Sequence, residues 1–410
     1  MFLNILIVTL LFSIFITPQS FGYLKLPLLV VIVLSVVYKA IRGRYVVNSS
    51  LFFSYYFIFV FLSLFWVYIG ALYGHADQAL FDSIRVYVIF MICYAVLALH
   101  VSNTDYTRHA DKFFSLAAFG IGFFCLYVLI DAYYPLSLLN DEIRKEMFLE
   151  IGVHDGYTQM NNVNIGSLSF ILPFLFSSLL LSRGKAPFYL YFAIIIGLAS
   201  AILASRRIIL LLFVLTPLIT LVINWFVNRE QSLTKVVVAF YSIILCLAAC
   251  TMMYLFVEHR PVFDGFTERL LGVFAVDDRS LRYLQHVALI DGFFEYQFFG
   301  SGFGGVADVI RNAERPWTYE LTYSRLLFNS GMIGIAILTV FFGSYFFSTI
   351  RKVKSLNYGK NTCSSLLVGF VGVLLASTSN PYIGSFDFNV ALSIIPLILN
   401  YREHHENHFT

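Results

Sequence analysis

A chain of 410 residues in which 59% are hydrophobic and only 12% charged has about half the charge of an ordinary soluble domain. With a mean hydropathy of +0.79, this composition excludes a water-soluble globular fold and implies an all-α polytopic membrane protein. The net charge is only +3, and no basic block stands outside the apolar runs, so nucleic-acid binding is excluded as well.

A helix needs about 20 apolar residues to cross the hydrocarbon layer. By that rule the chain holds twelve spans, at 1–18, 22–39, 51–73, 82–100, 113–134, 164–182, 187–204, 208–227, 236–257, 331–350, 362–378 and 385–400. All belong to a single integral membrane domain, 1–410. The first run lacks a basic leader and is soon followed by a second, so it reads as a retained helix. The breaks carry turn or charge signals, such as Pro18, Arg42-Gly43-Arg44, Pro135 and Arg183-Gly184-Lys185. Ser205-Arg206-Arg207 has no obvious turn residue. A helix running on from 187 to 227 would nevertheless be about 60 Å long, twice the hydrocarbon thickness, so a reversal is expected there.

Lysine and arginine concentrate in one set of short connections, including Lys39, Arg42, Arg108, Lys112, Arg183, Lys185, Arg229, Lys235, Arg351 and Lys352. That set is expected on the cytoplasmic side, with both termini. Arg206 and Arg207 then face outward, against the bias, at a tight reversal. The five cysteines lie in or beside apolar runs and read as core residues. The tail around His404–His408 reads as a solvated terminus. No metal or cofactor is expected.

The outlier is 258–330, a polar loop on the outer side with seven arginines and no lysine. A connection needs only a few residues, so a loop of this length is expected to be functional. Arginine without lysine favours forked grips on phosphate or carboxylate. Within the loop, 277–296 has helical character. It places Arg279, Arg282 and His286 on one stripe, and Tyr283, Val287, Ile290 and Phe294 on an apolar one. The Gly300–Gly305 cluster follows no βαβ strand and has no lysine–hydroxyl ending. It therefore reads as a sharp turn of close backbone approach, not a nucleotide loop. Residues 317–328 lead into the tenth span, with Trp317, Glu320, Ser324 and Leu327 on a common face and Tyr323 beside it. Arginines and an outward acid at the membrane boundary suit a lipid with an anionic head. The arginines would hold a diphosphate leaving group, and Glu320 would accept a proton from an attacking hydroxyl.

These features resemble the O-antigen polymerase and ligase superfamily, a GT-C-like group of membrane glycosyltransferases with about a dozen spans and one large outer loop. Ser205-Arg206-Arg207 is similar to the family's serine–arginine at an outer helix end. Arg282 followed by Gly300-x-Gly302 resembles its arginine before a Gly-x-Gly turn. Glu320-x-x-Tyr323 with Gly331-x-x-Gly334 resembles the motif closing the loop. Glu320 stands where the ligases carry histidine, which favours a Wzy-type polymerase, and His286 stands where a tryptophan is frequent. The resemblance implies an inner-membrane enzyme that polymerises undecaprenyl-diphosphate-linked repeat units on the periplasmic face, with the loop 258–330 as a lid over the active site. Arg206, Arg207 and Arg282 would bind diphosphate, assisted by Arg279, with His286 on the same face. Glu320 would be the base, with Tyr323 orienting it. A chain-length regulator is a potential partner. The rival readings are a ligase that joins glycan to lipid A–core and a twelve-span flippase. Against the flippase stand the nearly uncharged span interiors.

Overall fold

The structure is a computed structural model. It describes residues 2–18, 20–43, 45, 50–102, 109–134, 139–147, 150–154, 157–161, 163–182, 186–227, 232–258, 281–356 and 359–384. Among these residues fourteen α-helices follow one another in chain order. They are α1 Phe2–Ile16, α2 Gly22–Ile41, α3 Ser50–Leu72, α4 Asp77–Ile84, α5 Phe90–Ser102, α6 Ala110–Tyr133 and α7 Asp141–Glu146. They continue as α8 Leu168–Leu181, α9 Phe188–Leu203, α10 Arg207–Val227, α11 Ser232–Glu258, α12 Leu281–Glu295, α13 Thr322–Ser355 and α14 Lys360–Ala376. Among the described residues, seven helical segments are long and apolar enough to cross a membrane, and four apolar ones are shorter. The chain is a membrane-embedded, polytopic helical protein. Eleven of the twelve expected spans fall on a described helix. The twelfth, 385–400, lies outside the described residues.

Three departures from expectation bear on the site. First, the connection between the fifth and sixth expected spans contains an antiparallel hairpin, β1 Glu150–His154 with β2 Tyr157–Asn161, in which Glu150 pairs Asn161 and His154 pairs Tyr157. Second, the span expected at 82–100 begins earlier, at Asp77. Its halves α4 and α5 are joined by a π-turn at Arg85–Ile89, a single wide turn of the kind often found beside functional sites. Third, the tenth span is a 34-residue helix broken inside at Gly331, whose φ of 64° and ψ of −170° are open only to glycine.

The centre of the bundle is α8, buried along nearly its whole length. Small residues let α14 press onto it: Gly372 lies against the Ser169 carbonyl and Gly369 against Phe170. Phe15, Phe114, Phe170 and Phe174 fill the space towards α1 and α6 with ring contacts at 4.7–6.4 Å. By contrast α11 shows most of its apolar surface, as a helix facing lipid does.

Hydrogen bonds mark the two ends of the bundle. At one end Asn361 Nδ2 donates to Leu181 O at 2.6 Å, and Ser178 Oγ to Asp111 at 2.6 Å. At the other, Asn164 Nδ2 donates to Ser20 Oγ at 2.9 Å, Gly166 packs on Tyr382, and Thr322 Oγ1 donates to Asn380 O at 3.0 Å. By alternation of the helices, this second end also receives the α9–α10 reversal and the segment from Leu281 to Leu321.

The reversal uses no glycine. Ser205 N–H donates to Ile202 O at 2.9 Å, and Arg206 N–H to Ala201 O at 3.0 Å. This is the double closure of a Schellman motif, with Ser205 in the left-handed conformation at φ 50°. The missing turn residue of the sequence reading is therefore Ser205 itself, held in a conformation that glycine usually takes.

Candidate active site at one end of the bundle

The site is built on a backbone splice between a glycine-rich turn and the broken helix. Where α13 is interrupted at Gly331, its orphaned groups pair with residues 297–302. Ser301 N–H donates to Phe328 O at 2.9 Å and Gly302 N–H to Asn329 O at 3.0 Å. On the far side of the break, Met332 N–H donates to Gln297 O at 2.9 Å and Ile333 N–H to Phe298 O at 3.1 Å. Irregular backbone at membrane depth survives only where protein satisfies it, and these four bonds do so. Gly300, Gly302 and Gly304 all have positive φ. A Cβ on Gly302 would enter the backbone of Gly70, and one on Gly300 the backbone of Asn329. The expected close backbone approach is what the turn makes.

The turn is also pinned to α3 and the π-turn. Phe303 N–H donates to Trp66 O at 3.0 Å, and Trp66 Nε1 donates to Phe299 O at 2.9 Å. Nε2 of His75 meets Ser301 O at 2.7 Å. Tyr87, placed by the π-turn, stacks on Phe303 with ring centroids 5.1 Å apart and accepts a hydrogen bond from Arg325 at 3.1 Å.

Held in this way, the outer half of α13 faces α12. Arg282 Nε lies 2.7 Å from Glu320 Oε2, and His286 Nδ1 lies 2.9 Å from Ser324 Oγ. Both pairs are 38 residues apart in sequence, so α12 and the chain entering α13 run in the same direction here. Arg311, from the irregular stretch between them, brings Nη1 to 2.5 Å from the same Oε2. Glu320 is thus gripped by two arginines through one oxygen, and among the described residues Oε1 takes part in no ion pair. The Glu320 side chain is 20% exposed, while Arg282 and Arg311 remain 56% and 45% exposed. Arg311 is absent from the sequence expectations. The high arginine count of the loop was its only signal.

Several expectations need correction. Helix α13 starts at Thr322, so Trp317 and Glu320 precede it and share no helical face with Ser324 and Leu327. Tyr323 does not orient Glu320: its hydroxyl donates to Leu374 O at 2.7 Å and anchors the half-helix to α14. The face of α12 that packs on protein carries Gln285 and Leu289, with Gly292 half-buried, and leaves Val287 and Phe294 of the expected apolar stripe exposed. The reason is size, since Gly292 lets the Phe328 ring sit against the helix. Gln285 is fully buried, and neither atom of its amide finds a hydrogen-bond partner among the described residues.

Arg206 and Arg207 lie at the same end of the bundle as Glu320, but no hydrogen bond or ion pair among the described residues joins them to it. Arg206 Nε is buried without a described partner, and Arg207 is exposed. Arg279 lies outside the described residues. The neighbouring Tyr319 is buried, and its oxygen accepts the Ala307 N–H at 2.6 Å. Burial raises the phenol's pKa above its usual value of 10.0, so it is a neutral anchor, not an acid.

No group of three or more metal-ligating side chains gathers among the described residues. The polar chemistry present is guanidinium, carboxylate, imidazole and hydroxyl. It can bind an anion and accept a proton. No protein-family model matches this chain, and no curated protein matches it either.

Proposed function

We propose that the chain is a membrane glycosyltransferase of the O-antigen polymerase type, with twelve spans in a GT-C-like arrangement and both termini cytoplasmic. It would extend a glycan carried on undecaprenyl diphosphate at the periplasmic face of the inner membrane. The observation that carries this reading is the meeting of Arg282, Arg311 and Glu320 beside a broken helix at one end of an apolar bundle. Discontinuous helices in membranes characteristically border substrate sites.

In the proposed reaction the acceptor is a single lipid-linked repeat unit. Its non-reducing sugar hydroxyl attacks the anomeric carbon of the donor glycan. The bond from that carbon to the diphosphate oxygen breaks, and undecaprenyl diphosphate leaves with the electron pair. Arg282 and Arg311, with Arg206, Arg207 and Arg279, offset the charge that grows on the leaving group. Glu320 takes the hydroxyl proton. His286, hydrogen-bonded to Ser324, keeps α12 in register with the half-helix.

The test is a lipopolysaccharide gel of a strain lacking the gene, complemented with wild type or Glu320→Gln. A core carrying one repeat and no ladder, rescued by wild type but not by the variant, is the expected result. Bare core with long lipid-linked glycan accumulating would identify a ligase instead. Repeats trapped on the cytoplasmic face would identify a flippase.

A further inference from the structure

We infer that Glu320 is the internal occupant of an anion site whose two arms are Arg282 and Arg311. A phosphate or diphosphate group entering the site takes both guanidiniums and sets the Glu320 carboxylate free. The inference rests on the reading above for the identity of the ligand, but the exchange itself rests on geometry.

A carboxylate that ends its role in a structural ion pair is usually gripped by a fork, with two parallel bonds to its two oxygens. Here both arginines converge on Oε2, each through a single nitrogen, one from α12 and one from the irregular stretch that follows it. A guanidinium carries five donors, so each arginine keeps most of its capacity unspent among the described residues. Both side chains are about half exposed, while the carboxylate they hold is mostly buried. Ion pairs this open to water are weak. The arrangement is that of a cradle with donors enough for a polyanion, filled by a monoanion. A diphosphate offers several oxygens and more charge, and therefore wins the competition for two forks.

The exchange has a chemical consequence. A carboxylate oxygen held between two guanidiniums is blocked from an incoming hydroxyl. If donor binding draws both arginines away, the base is unmasked only when the leaving group is already in place. Arg311 becomes a substrate-binding residue in its own right, and the unspent capacity of the site becomes its reserve for the ligand.

The test uses the full-length protein in lipid nanodiscs, titrated with inorganic pyrophosphate and, separately, with geranylgeranyl diphosphate. Because the internal carboxylate competes with the ligand, Glu320→Gln should bind at least one of the two about tenfold more tightly than wild type. Arg282→Gln and Arg311→Gln should each bind about tenfold more weakly. Arg311→Lys, which keeps the charge and loses the fork, should weaken binding several-fold and stands in if the glutamine variant does not fold. Tight binding of the isoprenyl compound alone assigns the site to a lipid headgroup, and equal binding of both assigns it to the diphosphate itself; either supports the exchange. Unchanged or weaker affinity in Glu320→Gln overturns it, as does binding of neither probe by wild type. Loss of the glycan ladder in Glu320→Gln with unchanged affinity would overturn the exchange and keep the polymerase reading. Tighter binding by Glu320→Gln, in a protein whose deletion leaves the ladder intact, would do the reverse.

Discussion

Replacing Gly331 with alanine should unfasten the splice that positions Glu320. The native φ and ψ, 64° and −170°, lie in a region essentially closed to residues with a Cβ, at a cost of about 1–3 kcal/mol. The added methyl would also stand 2.5 Å from Gly300 N and 2.6 Å from Phe298 C, and these are backbone atoms that cannot swing aside. Alanine instead favours a continuous helix, in which the groups of α13 around the break pair with one another. Residues 297–302 would then lose four backbone hydrogen bonds, each contributing about 1 kcal/mol net. Allowing for the bonds the straightened helix regains, the local cost is about 2–3 kcal/mol, which corresponds to a roughly 10²-fold rise in the open population. The assay is hydrogen–deuterium exchange on a peptide spanning 297–303, whose Ser301, Gly302 and Phe303 amides are donors in the native state. Exchange should accelerate by about that factor, with the thermal midpoint lowered. Exchange within threefold of wild type would refute the argument that this glycine is required by the break.

Further outcomes follow from single contacts. Ser205→Val should destabilise the α9–α10 reversal by about 1–3 kcal/mol, because a β-branched residue is forced to positive φ; an unchanged thermal midpoint would count against the Schellman closure. Gln285→Leu should leave stability unchanged or raise it by about 1–3 kcal/mol, since the buried amide it removes has no described partner; a lowered midpoint would reveal one. Tyr319→Phe should cost about 1–3 kcal/mol by orphaning the buried Ala307 N–H, read as faster exchange of that amide. Tyr319 also sets an alkaline limit. Its folded pKa is raised, so its contribution is fully present below the ordinary tyrosine value of 10.0 and declines as pH rises through the folded value. The phenylalanine variant should lose that part of the alkaline unfolding.

How far the sequence reaches can be judged residue by residue. Span positions were legible because hydrocarbon thickness imposes a length that apolar runs must meet, and even the unmarked reversal at Ser205 followed from that length alone. The two-stranded hairpin was also written plainly, since Asp155-Gly156 stands between its strands as a strong turn signal; the polar character of the loop masked it. The grip of Arg282 on Glu320 was only half legible. Both residues were singled out, but their contact depends on a 38-residue offset between α12 and the chain entering α13, and no local periodicity encodes it. Arg311 was hidden for the same reason, in a stretch without regular structure. Tyr323 misled because adjacency along the chain suggested a partnership with Glu320, while tertiary packing gave its hydroxyl to α14. The π-turn left no trace in composition, as one extra residue in a wide turn changes neither length nor hydropathy.

The splice also sets an order of assembly. Residues 297–302 leave the ribosome before Phe328–Ile333, which they must meet. When the tenth span enters the bilayer, its complement is already synthesised. The nascent helix can therefore halt at Gly331 without exposing bare peptide groups to lipid. Its outer nine residues, Thr322–Ser330, belong mechanically to the preceding loop and not to the rod below them. A circular permutation that opened the chain between Ser301 and Thr322 would delay the complement past the moment of insertion, and the helix would then emerge straight.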